Sequence, residues 1–128
     1  GGDGWDGLEC YATADQLKDS YFCANYAKGS SPEFEDAYKA EYGEDYPNGF
    51  APLGYDAAMT VVYGIQAAED AGLAAGDDDY KQAVIDAIAG GTIDGITGTF
   101  TFDEHHNPVK QTAILCFDGA TPVLKEMF

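Results

Sequence analysis

The chain has 128 residues, of which 45% are hydrophobic, and this is enough apolar material for a folded core. Its formal net charge is −17, from 23 acidic and 6 basic residues. This charge repels nucleic-acid phosphates and anionic membrane surfaces, so neither is expected as a direct partner. No apolar run approaches the ~20 residues that a transmembrane helix requires.

The first predicted element is a glycine-rich loop, Gly1–Gly7. Glycines allow a tight turn and a close approach to a small molecule, while Asp3 adds a negative charge and Trp5 a flat apolar surface. A carboxylate beside an indole suits an amino group on an apolar body, although an ordinary connector is the alternative. Residues 8–19 then predict a short helix or irregular connector, and the aromatic run Tyr21–Tyr26 predicts a buried strand.

Three helices are predicted next. The first begins after Ser31 as N-cap and ends at Gly43. A turn is predicted over residues 44–49, followed by a long helix over 50–71 and a third helix over 77–90. The predicted inward-facing residues are Phe34, Ala37, Tyr38 and Tyr42 in the first helix, Leu53, Ala57, Val61, Ile65 and Ala68 in the second, and Ala83, Val84, Ala87 and Ile88 in the third.

The carboxyl-terminal part of the chain alternates as β-strands do. Strands are predicted over Ile96–Phe102, Gln111–Phe117 and Thr121–Met127, with a turn over 103–108, so the fold class is α/β: one strand, three helices, then a β-meander. No parallel strands separate the helices, and their apolar stripes need a sheet to cover them. This layout predicts the carboxyl-terminal part of a two-lobed α/β protein.

Cysteines and histidines give no metal-binding pattern. Cys10, Cys23 and Cys116 contain no C-x-x-C pair, so a zinc site is not expected. A Cys10–Cys23 disulfide in an oxidising compartment and three partly buried free thiols both remain open. His105 and His106 are adjacent in a predicted hairpin loop, where neighbouring side chains seldom reach one ion.

Catalytic motifs do not occur in the sequence. There is no G-x-S-x-G, P-loop or H-E-x-x-H motif, and no two carboxylates are singled out as an acid–base pair. Asp6 is expected to cap the turn that follows it. The sequence therefore predicts a protein without catalytic residues, metal ions or cofactors.

Four short segments follow one another in an order and spacing that resemble a known family. They are the loop Gly2–Asp6, the F-x-x-x-Y-x-x-x-Y-G helix Phe34–Gly43, the G-Y-D-A segment within Leu53–Ala58, and the G-x-x-G-x-x-x-F-D strand Gly95–Asp103. Together they resemble the type I periplasmic binding proteins, the branched-chain amino-acid-binding family of ABC importers.

The resemblance implies a two-lobed fold whose lobes have three αβα layers. It implies that residues 1–26 form a second-lobe segment and hinge strand, residues 27–99 a first-lobe helical segment, and residues 100–128 a return strand and second-lobe β-meander. The missing amino-terminal part of the same protein would then supply most of the sheet and many of the ligand contacts.

The resemblance also implies a ligand cleft and a function. Asp3 would pair with the α-ammonium of an amino acid, branched-chain or aliphatic, and Trp5 would line the same surface. Tyr55 is a further candidate contact, with core or hinge packing as its alternative. The implied protein is the non-enzymatic substrate-binding component of an ABC importer, a partner of the permease, located in the periplasm or lipid-anchored at the cell surface.

Two other functions remain open at this stage. One is a ligand-sensing domain of a receptor or regulator with the same fold, and the other is an acidic, non-catalytic interaction module. A part of a larger protein would also expose apolar surface and strand edges, so a homo-oligomer formed through exposed edges is expected.

Overall fold

A computed structural model describes residues 1–45 and 48–128 of the chain. Tyr46 and Pro47, which belong to the turn predicted over 44–49, lie outside the described residues. Two short 3-10 turns, Asp3–Trp5 and Leu8–Cys10, come first. The helices are α1 (Ala14–Leu17), α2 (Pro32–Tyr42), α3 (Phe50–Asp70) and α4 (Asp78–Gly90), and the strands are β1 (Tyr21–Ala24), β2 (Ile93–Gly95), β3 (Gly98–Phe102), β4 (Pro108–Val109), β5 (Ala113–Asp118) and β6 (Thr121–Met127).

The chain divides into two compact units. The first unit consists of residues 1–53 and 111–128, and the second unit consists of residues 54–110. Helix α3 begins in the first unit and continues in the second. These boundaries differ from those predicted for the lobes, and the assignment of segments to lobes stays a prediction. Within the described residues, no helix has the length and apolar character needed to cross a membrane.

The first unit contains an antiparallel sheet in the order β1-β5-β6, with Phe22 opposite Leu115 and Leu115 opposite Leu124. Phe22 is 1% exposed, and its ring stacks on that of Phe117 with centroids 5.4 Å apart. The three strands predicted in this region are confirmed, with small shifts at their ends. Its core cluster is formed by Phe22, Ala24, Ala27, Ala113 and Leu115.

Gly1 lies against β1. Its amino nitrogen donates to the Tyr21 carbonyl oxygen at 2.7 Å, and the Cys23 amide donates to the Gly1 carbonyl oxygen at 3.1 Å. Gly1 thus bonds to the residues on both sides of Phe22, which is the hydrogen-bond pattern of parallel strands. The glycine-rich loop is therefore attached to one edge of β1 at Gly1. This attachment sets the position of the turn that carries Asp3.

The second unit contains a small antiparallel sheet in the order β2-β3-β4. Strand β3 confirms the strand predicted over Ile96–Phe102, although it begins two residues later. Strand β2 was not predicted, and β4 begins at Pro108, which was assigned to a turn. In α4, the four residues predicted to face inward are partly buried, as expected: Ala83, Val84, Ala87 and Ile88.

The predicted inward face of α3 is confirmed at Ala68, which is fully buried, and at Leu53, which is partly buried, but it is wrong at its other three residues. Val61 is 50% exposed and Ile65 is 36% exposed, and Ala57 is also exposed. A side chain at Gly64 would place its Cβ 2.8 Å from Ile88 Cγ1, so the absence of a side chain there allows this close packing. The helix buries a face of small and polar residues: Pro52, Asp56, Thr60, Gly64 and Ala68.

Helix α2 has the predicted bounds, with Pro32 at its start and Gly43 as a C-cap at φ 77°. The Ser31 side chain makes no capping hydrogen bond. Of its predicted inward face, Phe34 and Tyr38 are partly buried, whereas Ala37 and Tyr42 are exposed. The apolar face is therefore only half covered in this chain.

Candidate functional site

The loop that carries Asp3 is held by short backbone hydrogen bonds. The Trp5 amide donates to the Gly2 carbonyl oxygen and the Asp6 amide to the Asp3 carbonyl oxygen, each at 3.0 Å. A Cβ at Gly1 would overlap the Trp5 ring, so the indole packs directly over that glycine. Asp3 is exposed and Trp5 is 38% exposed. The turn thus presents a carboxylate and part of an indole at the end of β1.

Two depressions border Asp3 within the first unit. Asp3 and Asn25 line both of them, and the larger has a volume of about 230 Å³. Phe50 and Leu53, at the start of α3, supply apolar surface to the other. The depression with Phe50 and Leu53 has a volume of about 20 Å³, which is room for a water molecule only. The larger one offers a carboxylate and a carboxamide, groups that suit the ammonium of a small molecule.

Asp6 has a different role from the one predicted. Its Oδ2 accepts a hydrogen bond from the Gly49 amide at 2.9 Å instead of capping the turn that follows. The Asn48 side chain accepts from the Phe50 amide at 3.0 Å and caps the start of α3. Asp6 therefore ties the glycine-rich loop to the residues that begin α3. A bond across 43 residues leaves no pattern in the sequence from which it could be predicted.

Tyr26 fixes the segment that leaves β1. Its hydroxyl donates to Glu35 Oε1 at 2.7 Å and accepts from the Ser31 amide at 3.0 Å, and Glu35 also accepts from the Gly29 amide at 2.7 Å. Burial, together with the hydrogen bond to Glu35, raises the pKa of Tyr26 well above its usual value. The phenol therefore stays neutral and structural.

Tyr55 lies in the second unit and is 46% exposed. The residue beside it, Asp56, is 3% exposed, and its carboxylate accepts hydrogen bonds from the Ile96 and Thr97 amides at 2.8 and 2.9 Å. The Thr97 hydroxyl also bonds to Asp56 and in turn contacts Lys110 Nζ. In the G-Y-D-A segment, the aspartate thus fixes the β2–β3 turn, a role that sequence reasoning missed.

All three cysteines are free thiols in the structure. Cys116 is partly buried, but Cys10 and Cys23 are exposed, so the expectation of partial burial is wrong for these two. Within residues 1–45 and 48–128, no three His, Cys, Asp or Glu side chains are grouped so that they could hold a metal ion.

The turn around the two histidines is organised by Asp103. Its carboxylate accepts hydrogen bonds from the His105 amide at 2.9 Å and the Asn107 amide at 2.8 Å. The bond from the Asn107 amide is the main reason why the pKa of Asp103 lies below its usual value. His106 has φ 63°. These groups form a self-contained surface turn.

Comparison with known proteins gives a consistent result. A family model described as "Periplasmic binding protein" matches residues 9–120. A comparison with curated protein sequences found no match.

Three solved structures have a similar fold. They are a solute-binding protein of an ABC transporter from R. palustris in complex with benzoate, at 23% identity and a TM-score of 0.70; the leucine-binding protein LivK from Thermotoga maritima, at 22% and 0.71; and the branched-chain amino acid substrate-binding protein LivJ from Streptococcus pneumoniae in complex with isoleucine, at 28% and 0.68. The alignments cover 95%, 99% and 99% of this chain but only 33%, 36% and 35% of the respective structures. The chain thus spans about a third of the length of these proteins.

Proposed function

The chain belongs to the periplasmic binding protein family, and from this premise we propose that it forms part of the substrate-binding component of an ABC importer. The predicted family and its α/β fold class are confirmed. Members of this family are non-enzymatic, extracytoplasmic solute-binding proteins of ABC transporters. The proposed ligand is an amino acid, branched-chain or aliphatic, held between two lobes without covalent chemistry.

The observation that carries this proposal is the placement of the Asp3 carboxylate beside Asn25 at a depression of about 230 Å³. A charged hydrogen bond to an ammonium contributes about 1.5–3 kcal/mol. Immobilising a ligand costs about 4–15 kcal/mol, so Asp3 needs further contacts. We assign those contacts to the remainder of the parent protein, with Trp5 and Tyr55 as the further proposed contacts from this chain.

The chemistry of Asp3 also favours one class of ligand over another. The similar structures include one named as a leucine-binding protein, one in complex with isoleucine and one in complex with benzoate. Benzoate has a carboxylate and no ammonium, so an exposed aspartate would repel it. An amino acid has an ammonium group that can donate a charged hydrogen bond to the Asp3 carboxylate.

The proposed partners follow from the proposed role in an ABC importer. The parallel bridge between Gly1 and β1 supports a further parallel strand beside β1, supplied by the missing amino-terminal part of the protein. The other proposed partner is the permease of the importer. This protein itself is proposed to act outside the cytoplasm, in the periplasm or lipid-anchored at the cell surface.

Self-association of the isolated chain is a separate proposal. Exposed apolar side chains at Val61, Val62, Val123 and Leu124 support it. Sedimentation of the isolated chain should show a dimer or larger species. A strict monomer at high concentration would contradict this part of the proposal.

Isothermal titration of the full-length protein tests the function. We expect leucine or isoleucine to bind and benzoate to bind more weakly. Asp3→Asn should weaken amino-acid binding about tenfold or more, because it removes a charged hydrogen bond. Asp15→Asn removes the same charge from an exposed position in α1 and should leave binding unchanged. Absence of binding by any amino acid would overturn the proposal.

A further inference from the structure

The larger depression at Asp3 brings together three polar side chains from three separate segments of the first unit. Asn25 and Thr112 line it with Asp3, and its volume is about 230 Å³. The other residues at its wall have small side chains or none: Gly2, Cys23 and Ala24. This depression is therefore suited to a polar group of a ligand rather than to its hydrocarbon body.

The three side chains lie at the same end of three neighbouring backbone segments. Gly1 is bonded along one edge of β1, and β5 occupies the other edge up to the pair Ala24 and Ala113. Asn25 and Thr112 follow at the next position of the same two strands. The Thr112 amide and carbonyl are also bonded to the backbone of Phe128, at 2.8 and 2.9 Å. Backbone hydrogen bonds therefore set these positions before a ligand arrives.

None of the three side chains has a hydrogen-bond partner within residues 1–45 and 48–128. Asp3 is exposed, and Asn25 and Thr112 are partly buried. Their polar atoms are accessible, because Glu9 Oε2 is the one buried side-chain atom without a partner in the described part of the chain. A ligand in the depression can therefore bond to all three side chains without displacing a protein contact.

The charge of Asp3 decides which ligand group they suit. An ammonium group has three N–H donors and no acceptor, while a carboxylate, a carboxamide oxygen and a hydroxyl oxygen each accept. Asn25 and Thr112 could also donate to a ligand carboxylate, but that group would lie beside Asp3 and be repelled. The set of three acceptors matches the three donors of a primary ammonium.

We propose that Asn25 Oδ1 and Thr112 Oγ1 accept hydrogen bonds from the ligand ammonium alongside Asp3, so that the site selects a primary ammonium over N-alkylated amino acids. This inference rests on the proposed amino-acid-binding function and adds a specificity to it. Each methyl group on the ligand nitrogen removes one donor and leaves one acceptor of the site without a partner, which is costly in a site closed to water.

Calorimetric titration of the full-length wild-type protein with leucine, N-methylleucine and N,N-dimethylleucine tests the number of acceptors. We expect the affinity to fall about tenfold or more with each methyl group, because each removes a hydrogen bond from a charged donor. Equal affinities for leucine and N-methylleucine would overturn the proposal. This series uses the wild-type protein alone, so it does not depend on the folding of a variant.

A variant of Thr112 separates hydrogen bonding from crowding. Thr112→Val keeps the branched shape and removes the hydroxyl, so it should weaken leucine binding about tenfold. Thr101→Val makes the same change at an exposed position in β3 and should leave binding unchanged. In Thr112→Val the first methyl group should cost less than in wild type, because one donor already lacks an acceptor. An equal cost in both proteins would overturn the role of Thr112.

Variants of Asn25 identify the atom that contacts the ligand. Asn25→Asp keeps an oxygen acceptor and removes the N–H donors, so it should bind leucine at least as tightly as wild type, whereas Asn25→Leu should bind about tenfold more weakly. Loss of leucine binding in Asn25→Asp would show that Asn25 donates to the ligand carboxylate and would overturn the proposal.

Two further results separate this inference from the proposed function. Leucine binding that is unchanged in both Thr112→Val and Asn25→Leu would overturn this inference and leave the proposed function standing. Absence of binding of any amino acid by the wild-type protein would overturn both.

Discussion

The two units of the chain are stabilised in different ways. The first unit has an apolar core around Phe22 and Leu115, beneath an antiparallel sheet. The second unit buries Asp56, Thr60 and Thr97 along with a few apolar side chains. Its longest helix presents small and polar residues inward and leaves large apolar side chains exposed, among them Met59, Val61, Val62 and Tyr63.

This difference shows that apolar residues alone do not decide which face of a helix is buried. The Asp56 carboxylate satisfies two backbone amides of the β2–β3 turn, and it can do so only if that face of α3 points inward. Backbone donors that are buried without a partner are costly, so the face of α3 with Asp56 and Gly64 is the one buried within these 128 residues, and Val61 and Ile65 form a second, exposed apolar face.

The largest expected effect tests the apolar core of the first unit. Phe22→Ala should lower the free energy of unfolding by ~3–5 kcal/mol, because it leaves a cavity at a fully buried position. Ile85→Ala in α4 should change it by less than ~0.5 kcal/mol, because Ile85 is 54% exposed and alanine favours helix. Urea unfolding of the 128-residue chain measures both free energies. Equal losses of stability in the two variants would contradict the contrast between the apolar core of the first unit and the exposed apolar side chains of the second.

The second largest expected effect concerns the buried Asp56 carboxylate of the second unit. Asp56→Ala should lower the free energy of unfolding by ~2–4 kcal/mol, because the Ile96 and Thr97 amides lose their acceptor. Asp94→Ala removes an exposed carboxylate that bonds only to the Thr99 hydroxyl among the bonds described, and its effect should be within ~1 kcal/mol. Similar losses for the two variants would contradict the role assigned to Asp56.

A substitution at Gly95 provides a second test of the role of Asp56. A Cβ at Gly95 would overlap the Asp56 carboxylate, so Gly95→Ala should destabilise the chain by ~1–3 kcal/mol. In an Asp56→Ala background the same substitution should be much less harmful, because the carboxylate it displaces is absent. A double-mutant cycle of unfolding free energies measures this coupling, and additive effects would contradict it.

The smallest expected effect concerns the surface turn at Asp103. Because the pKa of Asp103 in the folded chain lies below its ordinary value of 3.8, its contribution is present above that value and is lost as the pH falls through the lowered pKa. Asp103→Asn should therefore be slightly less stable than wild type at about pH 6 and equal to it at about pH 2. A difference that persists in acid would contradict this assignment.

Much of the fold could be predicted from local patterns. Pro32 and Gly43 mark the ends of α2, and the alternation of β5 and β6 is visible in the sequence. Strands β2 and β4, with three and two residues, are too short to produce such a pattern. In α3, the burial of Asp56 and Gly64 was missed because it depends on the distant Thr97 and Ile88, which apolar periodicity does not register.

The candidate site was predictable to a smaller degree. Asp3 and Trp5 could be singled out because a charge and an indole on a glycine-rich loop are unusual together, and the structure places Asp3 at two depressions. The bond from Gly49 to Asp6 and the position of Thr112 beside Asp3 depend on tertiary contacts alone. Whether Asp3, Trp5 and Tyr55 contact a ligand stays a prediction.

The central claim is that the Asp3 carboxylate accepts a hydrogen bond from the ammonium of an amino acid. Calorimetric titration of the full-length protein with leucine and with 4-methylpentanoate, which has the same hydrocarbon and carboxylate but no ammonium, tests it most directly. Wild type should prefer leucine about tenfold or more, and Asp3→Asn should lose most of that preference. A preference for leucine that is unchanged in Asp3→Asn would contradict the claim.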